Sequence, residues 1–100
     1  MTIAATLQLN HGTPGTLDAV GALTFDTAAA ALQAITAALA AAPVERIDLT
    51  GVQRSDSAGL ACILAAQAEA LRRGHPLAVR NLPAGMRALA QVCEVETLVG

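Results

Sequence analysis

One stretch of this 100-residue chain has side chains spaced for chemistry: "SDSAG", Ser55 to Gly59, set between the apolar run "RIDLTGV" and the long apolar stretch "LACILAAQAEAL". A serine between an aspartate and an alanine–glycine pair at such a junction has three chemical uses. It could act as a nucleophile, accept a phosphoryl group, or serve as a contact point. The nucleophile elbow needs glycine two residues to either side of the serine; Gly59 is present, but Ser55 occupies the other place. A triad also needs a histidine held by a carboxylate, whereas His11 and His75 both lie in turn-rich segments beside glycine or proline. No third Cys or His at metal spacing accompanies them, so neither a metal centre nor a cofactor is expected.

The purely structural use of Ser57 is an N-cap, worth ~1 kcal/mol. A helix start also concentrates free N–H donors and the positive end of the helix dipole. A phosphoryl group on Ser57 would be partly stabilised there and would carry charge into any surface pressed against that end. Wound at 3.6 residues per turn, the following helix points Leu60, Ile63, Leu64 and Leu71 inward. Ala58, Ala61, Ala65, Glu69 and Arg72 then line a flank turned away, where small side chains allow another helix to approach. Alanine's helix propensity accounts for the same positions without any partner.

Seven elements must position this junction. "ATLQLN" alternates and runs into the turn cluster "HGTPG"; "TLDAVGAL" alternates again, with Leu17, Ala19 or Val20, and Leu23 inward and Gly21 at a bulge or close approach. These read as two antiparallel strands. Asp26 or Thr27 caps a helix whose apolar positions Phe25, Ala29, Leu32, Ile35 and Leu39 recur at helical spacing until Pro43. "ERIDLTGV" is a buried strand with Ile47, Leu49 and Val52 inward. The helix after Ser57 ends at Arg72-Arg73-Gly74, a basic last turn and terminator. "PLAVRNLP" is a further strand, with Leu77, Val79 and Asn81 on one side. A last helix starts near Ala84, with Met86, Leu89, Ala90 and Val92 or Cys93 inward, and "ETLVG" forms a short tail. Strand–helix–strand crossovers of one hand give an α/β layer with helices on one side of a small mixed sheet of four or five strands.

Composition agrees with one domain over residues 1–100: the length suits a single modest core. Hydrophobic residues make up 54% and charged ones 14%, which excludes disorder. Phe25 is the sole aromatic residue, so no base-stacking platform can form. The formal net charge is −2, and the six basic residues, all arginines, are dispersed, which argues against nucleic acid as a partner. "MTIAATLQLN" lacks the features of a secretory signal, and "AAAALQAITAALAAAP" is too rich in alanine and too short to span a bilayer. The expected place is the cytosol, with no direct membrane insertion. Cys62 and Cys93 read as buried free thiols.

"IDLTGVQRSDSAGLACILAAQAEALRRGHPLAVRNLP" resembles the signature region of STAS domains, the fold of anti-sigma-factor antagonists, in which an Asp-Leu-Ser/Thr strand end leads to Asp-Ser-Ser/Ala-Gly-Leu at a helix start. The element order above is also that family's order. "GALTFDTA" and "NLPAGMRALAQVCEVETL" are similar to segments of the small MlaB-type STAS subunits of bacterial lipid-asymmetry ABC transporters. That resemblance implies a non-catalytic cytoplasmic subunit, peripheral to the inner membrane, that binds and supports the transporter's ATPase. Ser57 would be the hydroxyl facing the ATPase. Asp56, Ala58, Gly59 and Leu60 would shape the loop and helix start, and Ala61, Ala65, Glu69 and Arg72 would lie beside it as partner-binding residues. The alternative within the superfamily is an antagonist whose Ser57 is phosphorylated by an anti-sigma kinase. Two departures from the pattern are Ser55, where an apolar residue is usual, and Ala58, which replaces the second serine of many antagonists and leaves Ser57 the only hydroxyl of that pair. The apolar surface leaves self-association open.

Overall fold

The computed structural model describes residues 6–92. Four strands, β1 (Leu7–Thr13), β2 (Thr16–Leu23), β3 (Arg46–Ser55) and β4 (Ala78–Arg80), alternate with three helices, α1 (Ala28–Ala41), α2 (Ser57–Arg72) and α3 (Ala84–Val92). The sheet order is β1-β2-β3-β4, with β1 antiparallel to β2 and the other pairs parallel. The expected element order and mixed sheet are therefore present.

The β1–β2 hairpin closes on two residues, Pro14 and Gly15. Proline sets its own φ, and Gly15 at φ 77° takes the left-handed conformation such a turn requires. β1 runs on through His11, Gly12 and Thr13, which composition had assigned to the turn; the register with β2 is irregular between Asn10 and Thr13 and resumes where Thr13 pairs with Thr16.

Gly21 stands at φ 116°, and a Cβ there would run into the Thr6 carbonyl oxygen. It lies between two slips of the β2–β3 register, one between Asp18 and Val20 and one between Gly21 and Ala22. Along β2, Leu17, Ala19 and Leu23 face inward by simple alternation, Val20 faces out, and Ala22 is buried but outside the core cluster; the first slip is taken up by β3. On β3 it accommodates Leu49 and Val52 on the same buried face although they are three residues apart.

Each β–α–β crossover joins adjacent parallel strands, and the right-handed form of both puts α1 and α2 on one face. Burial agrees: Leu17, Ile47 and Leu49 are sealed, while Asp18, Asp48 and Thr50, which alternate with them, meet solvent on the other face. The centre consists of Leu17, Leu23, Ile35, Ile47, Leu49, Ile63 and Met86. Cys62 is buried, as expected; Cys93 and the "ETLVG" tail lie outside the described residues.

Several side-chain expectations change. Phe25 is not a core residue of α1 but stands in the turn before it, 81% exposed. Ala29 is exposed and Ala31 buried in its place, because the inward stripe of α1 begins later than Phe25 suggested. On α2 the buried face holds Gly59, Leu60, Cys62, Ile63, Ala66 and Ala70, so Leu60 and Ile63 are inward as expected, but Leu64 is only half-buried and Leu71 is 63% exposed. Asn81 ends β4 rather than continuing it: at φ 57° it is in the left-handed region, and its Nδ2 donates to Asp48 Oδ1 at 3.1 Å. Asp48 also accepts from Thr50 Oγ1 at 2.6 Å and Thr50 N at 2.8 Å. Those bonds, Thr50 first and Asn81 next, hold its carboxyl below the ordinary carboxylate range and tie β3 to the turn after β4. Of the alternatives Val92 or Cys93 for an inward position, Val92 is 81% exposed and Cys93 lies outside the described residues.

Candidate functional site

Parallel pairing brings Leu23, the last residue of β2, beside Ser55, the last of β3. Two chain segments therefore leave the sheet side by side, the turn Thr24–Thr27 into α1 and the Asp56 step into α2. Asp56 joins them. Its Oδ1 accepts from Gly59 N at 3.1 Å and its Oδ2 from Phe25 N at 3.0 Å. These bonds, Phe25 first and Gly59 second, lower its pKa from the usual value, so the carboxylate is ionised at neutral pH.

Asp56, not Ser57, is therefore the N-cap of α2. Aspartate and serine both cap well, and here the longer aspartate reaches a second donor across the sheet end. Ser57 becomes the first helical residue and is exposed, with its hydroxyl uncommitted among the described residues. Gly59 is buried because α2 begins in contact with the sheet: a Cβ would collide with the Leu23 carbonyl oxygen. Leu60 is buried as well, 4% exposed. Both shape the helix start from inside and present no side chain to a partner.

Of the outer flank, Ala58 is half-buried, and Ala61 and Ala65 are exposed one and two turns on. Glu69 and Arg72 lie further along, where Glu69 accepts from Arg72 Nη2 at 2.6 Å and from Arg73 Nε at 2.7 Å. Arg72 and then Arg73 hold the Glu69 carboxyl below its ordinary value. The far end of the flank is thus an ion cluster of one carboxylate and two guanidiniums, net positive and of small energetic weight. The near end, from Ser57 to Ala65, is low in relief and carries no charge of its own.

The turn into α1 contributes Phe25, which periodicity had placed in the core of that helix. Thr27 is buried; its hydroxyl donates to Ala22 O at 2.8 Å and accepts from Thr24 N at 2.9 Å. The turn closed this way holds Phe25 outward beside Asp56. The signal was available in the Thr-x-x-Thr spacing ahead of the alanine run, which reads as a closed turn rather than a helix.

Neither histidine reaches Ser57. His75 follows α2 at its other end, about 22 Å away along a helix rising 1.5 Å per residue, and His11 sits near the opposite end of β2. Among the described residues there is no serine–histidine pair at this site.

The family model described as "Mlab, STAS domain" matches residues 8–100. The chain belongs to the STAS family. Two solved structures share the STAS fold: the anti-sigma factor antagonist SpoIIAA in its unphosphorylated form, 21% identical over 86% of this chain and 82% of that one, TM-score 0.64; and the Bacillus cell fate determinant SpoIIAA in the phosphorylated form, 19% identical over 95% and 89%, TM-score 0.68. A search among curated proteins gives no significant match. Within this STAS domain the Asp56–Ser57 step occupies the junction between β3 and α2, where the sequence resemblance is centred.

Proposed function

We propose that this STAS domain is a non-catalytic cytoplasmic subunit that binds and supports the ATPase of a phospholipid-trafficking ABC transporter, docking through Ser57 and the outer flank of α2. One observation carries the reading. Asp56 takes over capping, so an exposed hydroxyl is left at the head of a smooth flank formed by Ala58, Ala61 and Ala65. Small side chains there let a partner surface approach the helix backbone closely, and affinity then comes from packing and exclusion of water rather than from charge steering. The MlaB description of the matching family supports the choice of an ATPase as partner. No helix among the described residues is long and apolar enough to cross a membrane, which fits attachment through a protein partner. The test is co-purification: Ser57→Arg or Ser57→Glu abolishes capture of the ATPase while the isolated domain keeps its circular dichroism spectrum. Retained capture contradicts the docking site.

A second reading draws on the same hydroxyl. A phosphoryl group on Ser57 would sit at the positive end of α2, close to first-turn N–H groups, as an antagonist switched by an anti-sigma kinase requires. Incubation with such a kinase and ATP then yields phosphoserine at position 57, and its absence removes this reading.

A further inference from the structure

We propose that Phe25 is an anchor of the same interface, its ring entering an apolar pocket on the ATPase subunit that meets Ser57; this rests on the docking proposed above and adds a residue to it. Phe25 is the only aromatic side chain in the sequence and is 81% exposed. An exposed ring on a loose loop would carry little meaning, but this backbone is fixed. Asp56 Oδ2 accepts from Phe25 N at 3.0 Å, and the buried Thr27 hydroxyl locks the turn to Ala22 O at 2.8 Å and Thr24 N at 2.9 Å. The carboxylate that positions Phe25 also caps the helix that begins at Ser57, so both side chains project from one hydrogen-bonded unit. Little conformational freedom is left to lose on docking, and aromatic anchors of this kind dominate interface energetics.

Charge selects the occupant. Asp26, next to the ring, is exposed, and Asp56 is ionised. A second copy docking on the same patch by two-fold symmetry would bring Asp26 and Asp56 toward their own copies, which is repulsive. An anionic membrane surface is disfavoured for the same reason. A protein pocket with an apolar floor and an N–H-rich or basic rim matches both the ring and its acidic neighbours.

The experiment measures, by calorimetry, binding of wild-type protein, Phe25→Ala, Phe25→Leu and Ser57→Arg to the purified transporter ATPase. Sedimentation of the chain alone and flotation on phosphatidylglycerol vesicles run in parallel. Phe25→Ala raises Kd about 30-fold or more, as expected for an interface hot spot, Phe25→Leu raises it less, and neither changes the melting temperature, because the ring is in solvent in the free domain. If Phe25→Ala binds like wild type while Ser57→Arg does not, the anchor is wrong and the docking site stands. If wild-type protein does not bind the ATPase, both fall. If Phe25→Ala instead abolishes self-association or vesicle binding and leaves ATPase affinity intact, the occupant is a second copy or lipid, and the proposal is overturned.

Discussion

Gly59→Ala disturbs the site without altering any of its exposed atoms. An ideal Cβ at position 59 would collide with the Leu23 carbonyl oxygen and lie 2.9 Å from the Leu23 carbonyl carbon and 3.1 Å from its Cγ. Two of these three atoms are backbone of β2, which is paired with β3 at Leu23–Ser55, so relief requires the first turn of α2 to lift off the sheet. Overpacking of a core costs about 1–3 kcal/mol, and a backbone obstacle places this case at the upper end. Alanine's better helix propensity returns at most ~1 kcal/mol. The net destabilisation is about 2 kcal/mol, which lowers the melting temperature of a domain of this size by roughly 8–16 °C. Gly85→Ala in α3 is the matched control: no atom lies within 4 Å of its added Cβ, so it gains propensity without a clash and melts at or above wild type. Thermal unfolding followed by far-UV circular dichroism decides. A Gly59→Ala protein as stable as wild type would refute the close approach of α2 to β2 on which the geometry of Asp56 and Ser57 depends.

Two further predictions concern titration. Burial pushes the Cys62 thiol up to about 11; in a Cys93→Ser background the folded protein therefore resists thiol reagents at pH 8 and reacts on denaturation, whereas rapid labelling of the native state would contradict the burial. Asp56 is held below its ordinary pKa by Phe25 N–H and Gly59 N–H, so as pH falls the unfolded chain takes up the proton first. The stabilisation from this group is complete above roughly pH 4 and disappears as pH drops through its lower folded value. Asp56→Asn flattens that part of the acid limb of the stability–pH curve, and an unchanged limb would show that the carboxylate does not bridge the two segments.

The order of the seven elements was legible because alternation and helical spacing change at Gly, Pro and capping residues, as at Pro14-Gly15, Pro43 and Gly74. The slip in register was legible in part, through Gly21. Alanine-rich helices hid the rest. When Ala31, Ala66 and Ala70 fill the buried face, leucines no longer mark its centre, so Leu71 was read inward by alignment with Leu60. Phe25 was drawn into α1 for the same reason, since periodicity weighs its hydrophobicity and is blind to the Thr24–Thr27 closure. Between Asp56 and Ser57, both good caps, local sequence could not choose. The decision comes from Phe25 N, 31 residues away in the chain, which reaches Asp56 only because β2 and β3 end side by side.

The central claim is that the Ser57 hydroxyl, freed from capping by Asp56, faces a protein partner. The most direct measurement is the affinity of the purified transporter ATPase for wild-type protein and for Ser57→Arg, with melting temperatures recorded for both. Wild type binds measurably, Ser57→Arg does not, and the two melting temperatures agree; equal affinities for the two proteins would refute docking through Ser57.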